Sequence, residues 1–257
     1  MALTIWNEST REELKAALPE SVVLLPTGAT EQHGPHLATG HDSFTVTDIA
    51  TRAAEASVAP VVLAPTLTFG SSHHHLPFGG SLSLSTDTYY RVVRELVESM
   101  IIGGARRIFL LNGHGGNQEL NVLVARDVAL AQPVERPVAI GAASYWEIAR
   151  ASFEANPALA GFPLPGHAGR FETATMLATT PARVREPRAG RASDPYVPSI
   201  VPGARVEVTG SWFTFDGYTD FPHLATAELG EIILKHAIRD VAAALDTLAG
   251  VEVSAGS

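Results

Sequence analysis

The sequence predicts an α/β fold, with a parallel sheet at the centre and helices on both faces. Three observations carry this. Short apolar runs of the kind that form fully buried strands recur at Val22–Leu25, Val61–Ala64, Arg107–Leu111 and Pro137–Ala142. Between them lie segments whose apolar residues recur at helical spacing. The regular alternation of the two is the pattern of strands joined by crossover helices.

Taken in order, Ser9-x-x-Glu12 and Thr10-x-x-Glu13 both fit a helix-capping box, so a short helix is expected from Arg11 to Leu18, ended by Pro19. The first strand runs to Pro26 and opens into a loop rich in glycine and proline. Ser43 to Ser57 reads as a helix with Val46, Ile49, Ala50 and Ala53 on its buried face. A long loop, Pro65 to Thr86, follows the second strand. The next helix is capped by Thr86 or Asp87, carries Tyr90, Val93, Val97 and Ile101 on one face, and closes at Gly103-Gly104. Helices are expected over Gln118–Leu130 and Arg170–Thr179, with a loop at Pro157–Gly169 before the latter. An amphipathic helix from Ala225 to Leu248 ends the fold. Between them, Pro181–Pro202 holds five prolines and reads as an extended excursion or a subunit contact.

The 257 residues are 46% hydrophobic and 18% charged, which fits one domain spanning the whole chain. A net charge of −9 without Lys/Arg runs argues against nucleic acid or a membrane surface as partner. Cysteine is absent, which excludes disulfides, thiolate metal sites and a cysteine nucleophile. No secretory signal or membrane-length apolar run is visible, so a cytoplasmic location is expected.

The chemistry concentrates in Pro26–Asp42, which carries Glu31, His33, His36, His41 and Asp42 just past a strand's carboxyl end. Glu31 and His33 stand at i and i+2, on one side of an extended segment. Asp42 is expected to return over them from a Gly-rich loop. Such a set suits Zn²⁺, Mn²⁺ or Fe²⁺; a polar surface loop is the plainer reading. His114, in Asn112-Gly-His-Gly-Gly-Asn117, follows another strand and converges on the same crevice. No Gly-Lys-Ser/Thr follows, so these glycines read as letting backbone approach a ligand rather than cradling phosphate. Glu172, in the first turn of a helix, is either an N-terminal stabilising charge or a ligand. With His167 it completes a possible two-metal site. Of His73-His74-His75, one or two at most can point inward. Trp146 is either core or an aromatic wall for a planar substrate. The Tyr89-Tyr90 and Phe213–Phe215 aromatics read as packing. The absence of a Gly-x-Ser-x-Gly elbow argues against a covalent mechanism.

These motifs together resemble the creatininase (creatinine amidohydrolase) family. The matching segments are Thr27-Gly-Ala-Thr-Glu31-Gln32-His33-Gly-Pro-His36-Leu37 with Asp42; His75-x-x-Phe78-x-Gly80-Ser81-Leu82; Leu111-Asn112-Gly113-His114-Gly115-Gly116-Asn117; His167-Ala-Gly-x-x-Glu172-Thr173; and Asp220-x-Pro222-x-x-Ala225-Thr226-x-Glu228-x-Gly230. The resemblance implies a three-layer αβα domain with a mostly parallel sheet and two divalent ions. It implies Glu31, His33, Asp42 and His114 as ligands, with Asp42 bridging. Creatininase proper also uses a glutamate two residues after the third-motif histidine. Gly116 stands there in this chain, and Glu172 is the expected substitute. The resemblance further implies hydrolysis of a C–N bond in a small, cyclic amide by metal-activated water, with His167 passing a proton to the leaving nitrogen. His36, His75 and Trp146 are the expected substrate contacts, His36 alternatively orienting a ligand. The family also includes a formamide hydrolase of flavin and deazaflavin biosynthesis and a peptidase that trims the mycofactocin precursor, both alternatives here. A scaffold that has lost catalysis is the less favoured reading, since the water-activating residues are present. Two aromatics that creatininase places around creatinine are replaced by Pro163 and Gly115, so creatinine is expected to be a poor substrate. A homo-oligomer, a hexamer of paired subunits, is also implied.

Overall fold

The computed structural model describes residues 3–160, 164–188, 190, 201, 206, 208–214 and 216–253. Among these, five strands form one parallel sheet: β1 (Leu3–Ile5), β2 (Val22–Thr27), β3 (Val61–Leu63), β4 (Arg107–Asn112) and β5 (Ala139–Ser144), in the order β1-β3-β2-β4-β5. The chain also forms α1 (Arg11–Ala17), α2 (His41–Ala56), α3 (Thr86–Ile102), α4 (Gln118–Ala131), α5 (Tyr145–Ile148), α6 (Arg150–Glu154), α7 (Arg170–Thr179), α8 (Ser211–Thr214) and α9 (Ala227–Ala249).

Alternation along the strands divides the interior into two cores. Val22, Leu24, Phe109 and Leu111 face α2, α7 and α9, where Val46, Ile49, Ala174, Ile233 and Leu245 are buried. Val23, Leu25, Ile108 and Leu110 face α3 and α4, meeting Tyr89, Val93, Val97, Val124 and Val128. Both faces are therefore covered, as the continuous apolar runs predict. No helix of the described residues is long and apolar enough to cross a membrane.

Four differences from the sequence reading matter. β1 was not anticipated; three residues are too few for a periodic signal, and it is an edge strand paired Leu3↔Val61. The long loop contains a 3₁₀ turn at His73–Phe78. The amino end of the proline-rich stretch is not an excursion: Arg185 N–H donates to His36 O (2.7 Å), and Ala38 N–H to Arg183 O (3.2 Å). Most of 189–202 lies outside the described residues, as do Pro163 and Phe215. Finally, α2 begins at His41 rather than Ser43, so Asp42 rides on a helical first turn instead of a loop.

β2 and β4 are neighbours in register, with Thr27 opposite Asn112 at their carboxyl ends. The loops leaving those two ends are the ones that carry Glu31, His33 and His114. From the other side, α7 brings Glu172, and α7 is seated against the first turn of α9. A Cβ at Gly230 would run into the Ala174 carbonyl and come within 2.8 Å of Ala178 Cβ. Gly230→Ala is therefore expected to destabilise the protein by about 1–3 kcal/mol, since a backbone carbonyl cannot repack. That outweighs the roughly 1 kcal/mol that alanine gains in helix propensity. Urea unfolding reads this directly, and an unchanged or raised midpoint would show that the two helices have room.

Candidate metal centre

Five ionisable side chains meet below the β2 and β4 ends: Glu31, His33, Asp42, His114 and Glu172. Each is at most 5% exposed. Asp42 lies between two groups. Its Oδ2 is 3.1 Å from His114 Nδ1, which is also 3.1 Å from Glu31 Oε1. Its Oδ1 is 3.0 Å from His33 Nε2, which lies 3.5 Å from Glu172 Oε2.

The histidine rings are held from behind. His33 Nδ1 donates to Glu31 O (3.1 Å), leaving Nε2 turned toward Asp42. His114 Nε2 donates to Ser71 O (3.1 Å), leaving Nδ1 inward. Carbonyl acceptors of this kind fix the tautomer of a metal-binding imidazole. His114 N–H in turn donates to Asn112 Oδ1 (3.1 Å), at the end of β4. Glu172 Oε2 accepts from Ala168 N–H (2.5 Å), and Ala168 sits at φ +48, an uncommon region for a residue with a side chain.

The donor set fits divalent ions. Ligand atoms about 2.1 Å from a common ion stand about 3.0 Å apart at octahedral angles and about 3.4 Å at tetrahedral ones. The four separations above span that interval. Despite this closeness, Glu31 Oε2, His33 Nε2 and Asp42 Oδ2 are buried without a hydrogen-bond partner. Buried lone pairs left without a partner beside these donors are what a shared cation would satisfy.

The electrostatics divide the histidines. Burial alone would lower His33, but Asp42, Glu172 and Glu31 outweigh it and raise the imidazole to about 10. Burial likewise opposes charge on His114, and Glu31 and Asp42 override it and push it well up. Burial would raise the Asp42 carboxyl, yet His33, His114 and His41 hold it well below the usual range. Glu172 is raised, by burial. By contrast burial pushes His36 down to about 4 and His75 to about 3, and carries His167 well down with help from His33. These last three imidazoles are neutral near pH 7.

His75 and His167 approach the centre from the side, His75 Nε2 and His167 Nδ1 each lying 3.7 Å from Glu31 Oε1. His36 does not reach the carboxylates; its Nε2 lies 3.0 Å from Thr173 Oγ1, beside the α7 first turn. Of the two sequence readings of Trp146, core or aromatic wall, the structure shows core rather than the expected substrate contact. It is 4% exposed and packs edge-on against Tyr145 (5.0 Å) in the cluster that includes α9. The tryptophan that reaches the site is Trp212 on α8. Its ring centroid is 4.6 Å from His75, 5.3 Å from His74 and 5.4 Å from His167. No sequence pattern marked it, because its partners lie more than forty residues away in the chain. His41, one of the candidate ligands of the Pro26–Asp42 stretch, has its Nδ1 3.0 Å from Asp42 Oδ1. Of the histidine triplet, His75 is buried, His74 stacks over His114 (6.0 Å), and His73 bonds Ser83 Oγ at the surface (2.8 Å).

A family model described as creatinine amidohydrolase matches residues 7–245. The chain belongs to the creatininase family. Members of this family are metal-dependent amidohydrolases, and the protein is accordingly a metal-dependent hydrolase of C–N bonds. It is 30% identical over 210 residues to the mycofactocin precursor peptide peptidase of Mycobacterium tuberculosis, covering 77% of this chain and 74% of that one. It is 29% identical to the creatinine amidohydrolase of Pseudomonas putida over 93% of both. A crystal structure of creatininase superposes with a TM-score of 0.77 at 27% identity, over 97% of this chain and 99% of that one. Manganese and zinc–zinc forms of creatininase match as well.

At Gly116, the position of creatininase's additional glutamate, this chain has no space. A Cβ would run into the Ser71 carbonyl and lie 2.6 Å from His114 Nε2. Gly116→Glu is expected to destabilise the protein by about 1–3 kcal/mol, as overpacking against backbone does. A variant with the parent's urea midpoint would show that the loop can accept a carboxylate there.

Proposed function

We propose that this protein is a dinuclear amidohydrolase for a small amide bulkier than creatinine. The observation that supports it most is Asp42, whose two oxygens face two separate donor sets. Glu31, Asp42 and His114 would hold one divalent ion, and His33, Asp42 and Glu172 the other, with zinc, manganese or iron as candidates. Two ions there would lower the pKa of a shared water and polarise the scissile carbonyl. His41 orients the Asp42 carboxylate, and His36 steadies the α7 turn through Thr173. His167, neutral and 3.7 Å from Glu31 through Nδ1, would take a proton and return it to the leaving nitrogen. Assembly into a homo-oligomer, a hexamer, belongs to the same reading.

Metal content tests the assignment. Asp42→Ala is expected to lose both ions, because one carboxylate serves both. Glu172→Gln is expected to lose one and keep the other. Elemental analysis giving two ions in Glu172→Gln would return Glu172 to the role of a helix N-terminal charge.

The substrate class follows from what lines the approach. Trp212 offers one aromatic face beside His75 and His167. At Gly115, where creatininase has a tyrosine, an added Cβ would meet nothing within 4 Å. A small planar ring held by fewer aromatic faces forfeits about 1.5–3 kcal/mol per lost contact. Creatinine should therefore turn over slowly, and Trp212→Ala should raise KM for the true amide about tenfold or more. Turnover of creatinine at the rate of a dedicated creatininase would contradict the wider site. The second reading is a peptide terminus as substrate. The open space at Gly115 favours it, as does the exposed apolar rim at Leu76 (42%) and Phe213 (62%). Comparing cyclic amides with short peptides in one kinetic screen separates the two.

A further inference from the structure

Gln32 is 7% exposed and stands between His75, His167 and the turn that follows Trp212. Its amide orientation is set by groups that cannot change role. Gly34 N–H donates to Oε1 (2.9 Å), and Gly217 O accepts from Nε2 (2.9 Å). Nε2 also lies 2.8 Å from His75 Nδ1 and 3.1 Å from His167 Nε2. A primary amide has two hydrogens for these three neighbours. The two shorter contacts, His75 Nδ1 and Gly217 O, take them.

His75 Nδ1 is then an acceptor, and a neutral imidazole that accepts at Nδ1 carries its hydrogen on Nε2. That N–H is the atom facing Glu31 Oε1. His167 Nε2 receives no hydrogen from the amide. It lies instead 3.0 Å from the Gln32 main-chain carbonyl, to which it must donate. His167 Nδ1 is left with its lone pair toward the same carboxylate. The two rings stack at 4.2 Å with 17° between their planes, so opposite faces of chemistry are held side by side.

We propose that Gln32 is a positioning residue that sets these two imidazoles to opposite polarity, His75 as hydrogen-bond donor and His167 as proton acceptor. The roles rest on the hydrolase reading above. As a water oxygen bonds the carbonyl carbon, one of its protons passes to His167 Nδ1. As the C–N bond breaks, that proton moves to the leaving nitrogen and His167 returns to its starting form. His75 keeps its proton throughout and donates to the oxygen on which charge develops. Because Gly217 O shares the Gln32 amide, the same side chain also seats the turn that carries Trp212. A Cβ at Gly217 would come within 2.6 Å of Gln32 Oε1, so the contact is close on both sides.

The test is a pair of long-range proton–nitrogen spectra of histidine-labelled protein, wild type and Gln32→Glu, loaded with zinc. His75→Gln and His167→Gln assign the signals. A glutamate keeps an acceptor for Gly34 N–H but offers His75 Nδ1 no hydrogen, so His75 should switch to the Nδ1–H form. In the wild type both rings should be Nε2–H. Gln32→Glu should keep the wild-type zinc content and lose about a hundredfold in kcat. A wild-type His75 already in the Nδ1–H form overturns the proposal. So does a Gln32→Glu spectrum with both tautomers unchanged, or a switched His75 with undiminished kcat. Wild-type protein with these tautomers that hydrolyses no amide supports the Gln32 assignment and overturns the hydrolase reading instead.

Discussion

Removing three carboxylates from water and bringing them within a few ångströms is the most unfavourable arrangement in this molecule. A buried, unpaired charge costs several kcal/mol even after relaxation. Glu31, Asp42 and Glu172 meet that difficulty together, in one cluster at most 5% exposed. Imidazoles offset part of it: His33 and His114 are drawn toward their charged forms by the same carboxylates. The remainder is visible as two buried oxygens and a nitrogen with no hydrogen-bond partner. Divalent cations would resolve the conflict by replacing protons, which is why ligand binding of this kind competes with protonation.

The rest of the architecture serves to hold those groups still. Parallel strands end together, so the loops after β2 and β4 begin side by side at Thr27 and Asn112. α2 contributes His41 and Asp42 from its first turn, and α7 contributes Glu172 from its own. Placing two carboxylates at helix amino ends also sets them where the helix dipole favours negative charge. The close seat of α9 on α7 at Gly230 holds the helix that carries Glu172.

Much of this was legible in the sequence because it depends on local rules. The buried strands show as apolar runs, and the ligand types sit in two short loops beside glycines. What was not legible depends on distant partners. Asp42 was expected on a loop, because Gly40 has no side chain to cap a helix and the start of α2 left no signature. Trp146 follows a strand end, which suggested a substrate wall, but the turn of α5 rotates it into the α9 core. Trp212 has no motif around it and acquires meaning only beside His75 and His167. Gln32 lies between two expected ligands, so alternation would send it outward; the segment is not a regular strand, and Gln32 turns inward to both histidines.

The claim on which everything else rests is that Asp42 bridges two ions. Anomalous diffraction from crystals of the manganese-loaded protein, measured at the manganese edge, tests it directly. The account predicts two peaks, one bounded by Glu31, Asp42 and His114 and one by His33, Asp42 and Glu172, with Asp42 touching both. A single peak, or a second one among Glu31, His75 and His167 with Asp42 in contact with only one ion, would contradict it.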